Sequence, residues 1–513
     1  MNGAESLLHT LVSGGVELCF MNPGTSEIHL VDALDRVPGF HAVPCLFEGV
    51  ASGAADGYAR MREKPACTLF HLGPGLSNAL ANLHNACRAR VPLINLVGDH
   101  ASFHRPLDPP LASDIEAIAR PFSGWLRSSC AADELGRDGA DAIAAARTAP
   151  GQIATLIVPA DAAWGEGGRV AEVSAAPAPS RPQNARVEEA ARLLRNGRQS
   201  AIVLGSHTMQ GAALTAAARI AAATGAKLLA TFPFARMERG AGRPVVERIA
   251  YITDQALAQL SGYRQMVLVG APPPVAFFGH PARPSLLAPE GCEIFALAEA
   301  GEDCAGALEN LAAVLDAEDA EPMLQRAEAL TAPQGEITLV GLSQVIGANL
   351  PRDAIVVDES ITSGRGLMSA TAAAPPHDWL VNTGGSIGLG VPLAVGAAMA
   401  CPDRPVLCLD GDGSFMYTPQ ALWTAARESL PITTVVFANR SYAILNYELM
   451  ALGTNPGPRA QGALDIGRPD MDFVALSKGL GVPATRVHSL DEFGTALRRG
   501  LVSREPNLIE VPV

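Results

Sequence analysis

Two polar turns near the end of the chain have the residue types and spacing of a metal and phosphate site. Gly411-Asp412-Gly413-Ser414 directly follows the apolar strand pattern 406–409, and Asn439 directly follows a second apolar run, 433–438. Two parallel strands joined by a crossover helix would bring both turns to the carboxyl edge of one sheet, where α/β proteins bind ligands. A carboxylate and an amide oxygen, completed by phosphate oxygens, suit Mg²⁺, and the glycines let backbone N–H groups approach a diphosphate.

These turns together resemble the metal and diphosphate motif of thiamine-diphosphate enzymes. The resemblance implies that Asp412, Asn439 and the backbone carbonyl of Ser441 hold Mg²⁺. The family usually has two asparagines in a row, whereas this chain has Ala438-Asn439. The second asparagine is the ligand, so we expect the site to be retained. Further residues that the resemblance places against the cofactor are Gly413, Ser414, Tyr442 and Ala443.

A second anchor of the resemblance is Glu48, which follows the short strand predicted over 41–47 and precedes a helix rich in small residues. Alone, this glutamate would be an ordinary helix-initiating residue that complements the macrodipole. The resemblance implies instead that Glu48 binds N1′ of the cofactor's aminopyrimidine ring. A carboxylate there would favour the imino form that takes the C2 proton, which is base catalysis relayed through the cofactor.

Two more strand ends carry candidates near the pyrimidine ring. The segment 22–27 is a Pro-Gly turn with hydroxyl residues at an N-cap, and the resemblance implies that Pro23 packs on the cofactor while Thr25 reaches the substrate. At the end of the strand predicted over 66–72, His71 matches an acid/base histidine of benzoylformate decarboxylases. A purely structural role for this strand-end histidine is the alternative. Asn78 is expected to close the same loop near the cofactor.

The segment 384–392, Gly-Gly-Ser-Ile-Gly-Leu-Gly-Val-Pro, resembles the loop that bends the cofactor in this family. The resemblance implies that Ile387 is the apolar wedge between the two rings and that Gly385 offers its carbonyl to the 4′-amino group. Bulk at this point would push the amino nitrogen towards C2, which is catalysis by positioning. Thr362, in the strand-end loop after 356–359, is a further candidate ligand of the diphosphate. A glycine-rich turn and an ordinary hydroxyl-rich loop are the structural alternatives.

Substrate-facing positions follow the metal asparagine. The resemblance places Ile444 and Glu448 in the substrate pocket, where the isoleucine would narrow the space for an aryl ring. Glu448 would be costly in a closed pocket unless paired, so it either meets a hydroxyl or cationic group or faces solvent on a rotated helix. His280 is the nearest counterpart of a second catalytic histidine. Leu445 replaces a glutamate of pyruvate decarboxylases, which argues against their mechanism.

Composition sets broad limits. At 513 residues the chain is long enough for about three domains. Charged residues make up 18% and hydrophobic residues 48%, which excludes a disordered chain. A net charge of −14 without a basic run argues against a nucleic-acid surface. No signal peptide and no membrane-spanning helix are expected. The nine cysteines are scattered and none forms a C-x-x-C pair, which indicates a reduced, cytoplasmic protein.

The elements that must position these residues alternate between strand and helix patterns along the whole chain, which predicts an α/β fold of three doubly wound parallel-sheet domains. We predict a pyrimidine-binding domain over 1–165, a middle domain over 185–325 and a diphosphate-binding domain over 337–513. The Ala/Pro/Ser-rich stretch 173–184 is the first linker. In the middle domain, Gly205–Gly211 could cradle a nucleotide, but a plain strand-to-helix loop is the simpler interpretation, and no FAD is expected.

The predicted function is thiamine-diphosphate- and Mg²⁺-dependent decarboxylation of a 2-oxo acid, with carboligation as the second outcome. The resemblance implies a homodimer or tetramer, because Glu48 and Asp412 of one site would come from different subunits. Acetolactate synthase is the alternative of the same class. A non-catalytic homologue that binds the cofactor is the alternative of a different class, and the presence of Glu48, Asp412 and Asn439 argues against it.

Overall fold

The structure is a computed structural model that describes residues 1–281 and 283–513. Within these residues the chain forms three sheets, dominated by parallel strands and flanked by helices. The predicted α/β fold class is therefore confirmed. Buried apolar runs such as Ile153–Pro159 form the central strands, as expected for sheets covered on both faces.

The first sheet has the strand order β2-β1-β3-β4-β6-β5, with all neighbours parallel. Its strands are β1 (Leu18–Asn22), β2 (His41–Pro44), β3 (Ala66–Phe70), β4 (Leu93–Asp99), β5 (Trp125–Ser128) and β6 (Ile153–Pro159). Its helices are α1 (Gly3–Ser13), α2 (Ile28–Ala33), α3 (Glu48–Arg62), α4 (Leu72–Ala89), α5 (Ile115–Ala119), α6 (Ala132–Ala146) and α7 (Ala160–Trp164).

The second sheet, β10-β8-β7-β11-β12, follows a stretch without regular helix or strand that contains the predicted linker. The strands of this part of the chain are β7 (Ser200–Leu204), β8 (Lys227–Ala230), β9 (Arg236–Arg239), β10 (Glu247–Arg248), β11 (Gln265–Val269) and β12 (Glu293–Ala298). Its helices are α8 (Asn184–Arg195), α9 (Gly211–Thr224), α10 (Thr253–Leu260) and α11 (Cys304–Val314).

The third sheet has the order β17-β18-β16-β15-β13-β14-β9. Its remaining strands are β13 (Ile355–Glu359), β14 (His377–Val381), β15 (Val406–Gly411), β16 (Ile432–Ala438), β17 (Ala484–Arg486) and β18 (Asn507–Pro512). Its helices are α12 (Leu339–Asn349), α13 (Leu367–Ala370), α14 (Gly390–Ala400), α15 (Asp412–Phe415), α16 (Ala421–Arg427), α17 (Ala443–Ala451), α18 (Pro458–Leu464), α19 (Phe473–Gly479) and α20 (Leu490–Leu501).

Strand β9 differs from the sequence expectation. It lies within the range predicted for the middle domain, yet it pairs antiparallel with β14 at the edge of the third sheet. The four-residue strand has no apolar run of its own, because only Met237 of its residues is buried. The exact limits of the three domains stay a prediction.

Helices α3 and α14 join the first and third sheets, and small residues let them approach closely. A Cβ atom added at Gly57 would clash with the backbone carbonyl of Leu393, and one added at Gly396 would clash with that of Ala54. The helix predicted after Glu48 is therefore rich in small residues because its backbone lies against another helix.

Arg60, near the end of α3, is buried and bonded to three parts of the fold. Its guanidinium makes a double hydrogen bond with Asp56 at 2.7 and 2.6 Å. It also donates to the backbone carbonyl of Ala235 at 3.0 Å and to that of Val381 at 2.7 Å. The N–H groups of a buried guanidinium need acceptors. Because Arg60 finds acceptors in two later parts of the chain, this side chain fixes α3 against both of them.

In the described part of the chain, no helix combines the length and apolar character needed to cross a membrane.

Candidate functional site

The predicted site residues lie at the carboxyl edges of two sheets. In the first sheet, the neighbouring strands β2, β1 and β3 lead into Glu48, the turn 23–27 and His71, respectively. In the third sheet, four neighbouring strands lead into loops that carry predicted site residues. Strand β16 leads to Asn439, β15 to Asp412, β13 to Thr362 and β14 to Gly385. Carboxyl edges of parallel strands are where open α/β sheets bind ligands.

Asp412 begins a single helical turn directly after β15, so its turn is partly helical rather than a free loop. Its carboxylate accepts the N–H of Gly413 at 2.8 Å and the N–H of Arg440 at 2.5 Å. It is only 2% exposed, and burial raises its pKa. The Arg440 guanidinium binds Asp470 instead, at 2.6 Å. Among the described ion pairs none includes Asp412, so this buried carboxylate has no cationic side chain as a partner.

The parallel pairing of β15 with β16 puts Asn439 beside Asp412, because Gly411 is opposite Phe437 in the register. The side-chain oxygen of Asn439 accepts the N–H of Ser441 at 2.9 Å, which orders the turn. No group of three or more His, Cys, Asp or Glu side chains that could hold a metal occurs in residues 1–281 and 283–513. A metal here would depend on one carboxylate, one amide and backbone oxygens, a donor set that fits Mg²⁺.

Gly413 leaves space for an aromatic neighbour. A Cβ atom added there would lie 2.8 Å from Cε1 of Tyr442. Ser414 points away from the turn surface and bonds the carboxylate of Asp410 and, at 3.3 Å, the carbonyl of Glu359. The hydroxyl of Ser414 therefore stabilises the turn through its hydrogen bonds to the ends of β15 and β13.

A cavity of about 550 Å³ adjoins these turns, within the size range of small-molecule sites. Its lining includes Thr362, Asn439, Ala443 and Tyr447. Three of the predicted site residues therefore share one cavity. Helix α17 forms one wall, and the loop after β13 forms another.

Glu48 is the first residue of α3 and is 6% exposed. The amide of Asn78 donates to its carboxylate at 3.0 Å. A Cβ atom added at Gly75 would lie 3.2 Å from the other carboxylate oxygen. Asn78 therefore binds one oxygen of this buried carboxylate and leaves the other available for a ligand, as the role of a cofactor-activating glutamate requires.

Asn78 was expected to close the loop that follows His71, and this loop is shorter than expected. Helix α4 begins at Leu72, so residues 73–78 are helical. The strand predicted to reach Leu72 ends at Phe70. Pro74 is tolerated because the first helical turn has N–H groups without intrahelical partners.

His71 is the residue between β3 and α4, and its ring is paired with a carboxylate that the sequence did not single out. Nδ1 lies 2.7 Å from the carboxylate of Glu27, which is completely buried. Burial raises the pKa of Glu27, and the hydrogen bond from Gly24 N–H and the contact with His71 oppose that shift. Gly24 and Gly98 make room for the pair, since a Cβ atom at either position would clash with the ring or the carboxylate.

The segment 384–388 is held by polar contacts from several sides. The side-chain oxygen of Asn382 accepts the N–H groups of Gly384 and Gly385 at 3.1 and 2.8 Å. Asn85 donates to the carbonyl of Ser386 at 2.7 Å. Ile387 is half-buried next to these bonds. The bonds fix the backbone on both sides of the predicted wedge residue.

Glu359 is a second carboxylate that sequence reasoning missed. It accepts the N–H groups of Gly388, Leu389 and Gly390 at 3.1, 2.9 and 2.8 Å, where α14 begins. A carboxylate is favourable at a helix N-terminus. Burial raises the pKa of Glu359 to about 7, although these hydrogen bonds lower it. Its position at the end of an apolar strand and three residues before Thr362 was the available signal.

Three non-glycine residues of the site have left-handed backbone: Leu72, Ile361 and Arg440, with φ of 47°, 51° and 57°. Each directly follows or precedes a predicted site residue. A β-branched residue such as Ile361 adopts this conformation at a cost of order 1–3 kcal/mol. Such strain clusters at functional sites, and here it turns His71, Thr362 and Asn439 at the ends of their strands.

The remaining predicted residues are located as follows. Pro23 and Thr25 are exposed, on either side of Gly24. Ile444 and Glu448 lie one turn apart on α17. Glu448 does not face open solvent, because its side chain is 22% exposed and lies 3.5 Å from Nε2 of His280.

Comparisons with known proteins agree with this arrangement. Residues 1–115 match the family described as thiamine pyrophosphate enzyme, N-terminal TPP binding domain, and residues 363–511 match the C-terminal TPP binding domain. The chain is 52% identical to "Putative acetolactate synthase large subunit IlvX" of Mycobacterium tuberculosis, over 100% of this chain and 99% of that protein. It is 29% identical to the benzoylformate decarboxylase of Pseudomonas aeruginosa, over 97% and 96% of the two chains.

A solved structure has the same fold. The thiamine diphosphate-dependent 4-hydroxybenzoylformate decarboxylase of Rhodococcus jostii superposes with a TM-score of 0.87 at 24% identity, covering 100% of this chain and 99% of that one.

Proposed function

The chain belongs to the thiamine pyrophosphate enzymes, and from that premise we propose that it decarboxylates a 2-oxo acid. The observation that carries the proposal is Glu48, a buried carboxylate at the carboxyl edge of the first sheet with Asn78 bound to one oxygen. A glutamate placed only to start a helix would not need to be buried. When bound, thiamine diphosphate supplies the electron sink for the carbon that loses CO₂.

The residues of the third sheet would hold the cofactor through its metal and diphosphate. Asp412, the side-chain oxygen of Asn439 and the carbonyl of Ser441 would bind Mg²⁺. Thr362, Ser414, Tyr442 and Ala443 lie in or next to the same turns, and the backbone N–H groups from Gly413 onward would meet the diphosphate. The half-buried Ile387 and the carbonyl of Gly385 would keep the cofactor bent.

The residues of the first sheet would move protons. Glu48 would hold a hydrogen bond at N1′ of the aminopyrimidine ring. As a carboxylate, Glu27 would accept Nδ1–H of His71, 2.7 Å away, and Nε2 of the ring would take or give a proton at the substrate oxygen. Pro23 and Thr25 lie at the same edge, where Pro23 would contact the pyrimidine ring and Thr25 the substrate. Ile444 and Glu448 would line the far end of the substrate pocket.

Carboligation is the second candidate outcome, in which a second carbonyl compound rather than a proton completes the product. The 52% identical relative named as an acetolactate synthase subunit favours this alternative. The Glu27–His71 pair favours release of an aldehyde, because a histidine with a free Nε2 can deliver the proton that completes it.

The family resemblance also supports a homodimer or tetramer in which Glu48 of one subunit and Asp412 of the other form one site. All nine cysteines lie in described residues and are free thiols, which supports a cytoplasmic, reducing setting.

The test is a screen of 2-oxo acids for CO₂ release by the protein loaded with thiamine diphosphate and Mg²⁺, with aldehydes and acyloins identified by mass spectrometry. We expect release from at least one short 2-oxo acid and none from Glu48→Gln. Cofactor binding without turnover of any 2-oxo acid would instead establish the non-catalytic alternative. Light scattering of the same sample checks the oligomeric state.

A further inference from the structure

A narrow cleft lies between α17 and the part of the chain that contains the second sheet. One wall consists of Tyr447, Glu448 and Ala451, and the opposite wall includes Tyr251, Phe277 and His280. The space between the walls is about 20 Å³, which holds roughly one water-sized group. Two distant parts of the chain therefore close around a small volume.

The cleft adjoins the site already described through two aromatic residues. Tyr447 also lines the 550 Å³ cavity that contains Thr362 and Asn439. On the opposite wall, Phe277 covers Gly385, since a Cβ atom added at that glycine would lie 2.9 Å from Cζ of the ring. The cleft is thus the end of the site farthest along α17 from the metal turn.

Glu448 brings an acceptor with unused capacity into this cleft. Its side chain is only 22% exposed, and its one ion-pair partner among the described residues is His280, which forms the pair only when protonated and has Nε2 3.5 Å from the carboxylate. None of the described hydrogen bonds ends on this carboxylate. A partly buried carboxylate is costly without a donor. The cleft therefore combines a small space with a carboxylate that lacks a hydrogen-bond donor in the described structure.

The surrounding groups favour a donor of small size. Tyr251 and Phe277 pack ring against ring at 5.4 Å, and Phe277 and Phe278 at 5.1 Å, so part of this wall is aromatic. Arg283, which also lines the cleft, is occupied by Asp254 at 2.8 Å. A carboxylate-ended substrate would meet Glu448 with like charge, and an aryl or guanidinium group would exceed the available volume.

We propose that Glu448 makes the enzyme selective for 2-oxo acids whose side chain ends in a small hydrogen-bond donor, a hydroxyl or an ammonium group. This inference rests on the proposed function and adds the substrate class. Ile444, one turn before Glu448 on the same helix, would pack along the methylene groups that connect the donor to the reacting carbon.

The experiment compares pairs of 2-oxo acids that differ only at the end of the side chain. The protein loaded with thiamine diphosphate and Mg²⁺ is given 4-hydroxy-2-oxobutanoate against 2-oxopentanoate, and 5-hydroxy-2-oxopentanoate against 2-oxohexanoate. We expect kcat/KM to favour at least one hydroxyl-ended member by about 10- to 100-fold, the range for a hydrogen bond to a charged group. Glu448→Leu should remove this preference.

Glu448→Gln separates the two donor types and guards against a folding defect. An amide oxygen still accepts from a hydroxyl but lacks the charge that attracts ammonium. This variant should keep preference for the hydroxyl-ended acids and lose any preference for 4-amino-2-oxobutanoate. Glu189→Leu is the control, because Glu189 lies on α8 and is paired with Arg192 at the surface.

Binding distinguishes failure of this inference from failure of the proposed function. Calorimetry on the loaded protein uses the reduced analogues 2,5-dihydroxypentanoate and 2-hydroxyhexanoate, which cannot lose CO₂ by this route. A preference for the hydroxyl-ended analogue that Glu448→Leu abolishes supports the inference even if no 2-oxo acid is turned over. Equal binding and equal turnover of each pair, or a preference that Glu448→Leu leaves intact, would overturn it.

Discussion

The carboxylate of Glu27 lies 2.7 Å from Nδ1 of His71, and the two residues follow neighbouring strands of the first sheet. Glu27 is completely buried, whereas the imidazole side chain is 25% exposed. The carboxylate therefore fixes which nitrogen of the ring carries hydrogen, and the exposed part of the ring faces the site. This makes Glu27 a positioning residue for His71.

We expect Glu27→Gln to lower kcat by about 10-fold or more, because a misoriented acid/base group loses part of its contribution of about 10²–10⁴. Burial raises the pKa of Glu27, so the wild-type carboxylate gains a proton, and releases the ring, at a higher pH than an ordinary glutamate. The decrease of kcat at acidic pH should therefore differ between the variant and the wild type. His71→Ala and the double variant complete the cycle, and additive effects would show that the two residues act independently.

Glu48→Gln should slow exchange of the cofactor's C2 proton by at least ~10²-fold, the lower range for loss of a positioned acid/base group. Exchange into deuterium oxide, followed by NMR after acid quenching, measures this step without a substrate. Thiamine diphosphate binding should be retained, which separates activation from affinity. Wild-type exchange in the variant would remove Glu48 from this role.

Asp412→Ala should abolish Mg²⁺-dependent retention of thiamine diphosphate, because it removes the one charged ligand proposed for the metal. Equilibrium dialysis with and without EDTA measures the effect. Asp316→Ala, at an aspartate that is 93% exposed, is the control. Cofactor affinity that is unchanged by both the substitution and the chelator would refute the assignment.

Asp410 and Glu359 are two buried carboxylates that meet beneath the Asp412 turn. Both lie against Gly390, where an added Cβ atom would be 2.6 Å from Oδ2 of Asp410 and 3.3 Å from Cβ of Glu359. Burial, reinforced by the charge of Glu359, raises the pKa of Asp410 well above its usual range. Oδ2 of Asp410 has no hydrogen-bond partner in the described structure, whereas Glu359 accepts three N–H groups. Asp410 is therefore the member that keeps the proton.

The sign of the resulting pH dependence follows from proton binding. Above the unfolded pKa of about 4, the folded state holds a proton that the unfolded state has released, so the free energy of unfolding falls as pH rises. The slope is about 1.4 kcal/mol per pH unit for each proton. Asp410→Asn removes this contribution, and its stability relative to wild type should rise between pH 5 and 8 in urea unfolding. A constant difference across this range would contradict the prediction, and Asp316→Asn is the control.

Ile444→Ala should shift kcat/KM towards benzoylformate by ~10-fold or more, the scale of one or two methylenes in a pocket. Ile444 lies on α17, whose next turn carries Glu448. Pyruvate and benzoylformate are compared in both proteins, with Val502→Ala, at a residue that is 83% exposed, as the control. A wild type that already prefers benzoylformate would show that Ile444 does not narrow the pocket.

Local sequence patterns were sufficient to predict that Asp412 and Asn439 lie close together and insufficient to predict the Glu27–His71 pair. Asp412 and Asn439 follow consecutive strands that pair directly, so order along the chain predicts their proximity. Glu27 and His71 also follow paired strands, β1 and β3, but β2 lies between them in sequence. Strand order depends on the packing of the whole sheet, so it cannot be predicted from the residues near Glu27 alone.

The role of Glu359 was missed for a related reason. Its three hydrogen bonds end on Gly388, Leu389 and Gly390, just where α14 begins and 29 to 31 residues further along the chain. Hydroxyl groups in the same loop drew attention to Thr362, whereas the buried anchor is the carboxylate at the end of β13. The His280–Glu448 contact was equally hidden, because it joins the segment between β11 and β12 to the distant helix α17.

Arg60 has a consequence for how the protein comes apart. Its guanidinium has acceptors from α3, from the chain before β9 and from the end of β14. Moving any one of these away would leave a buried charged group short of acceptors, so partial detachment is unfavourable. A protease that cuts the stretch 173–184 should nick the chain without releasing its halves, and both fragments should melt together in a single transition.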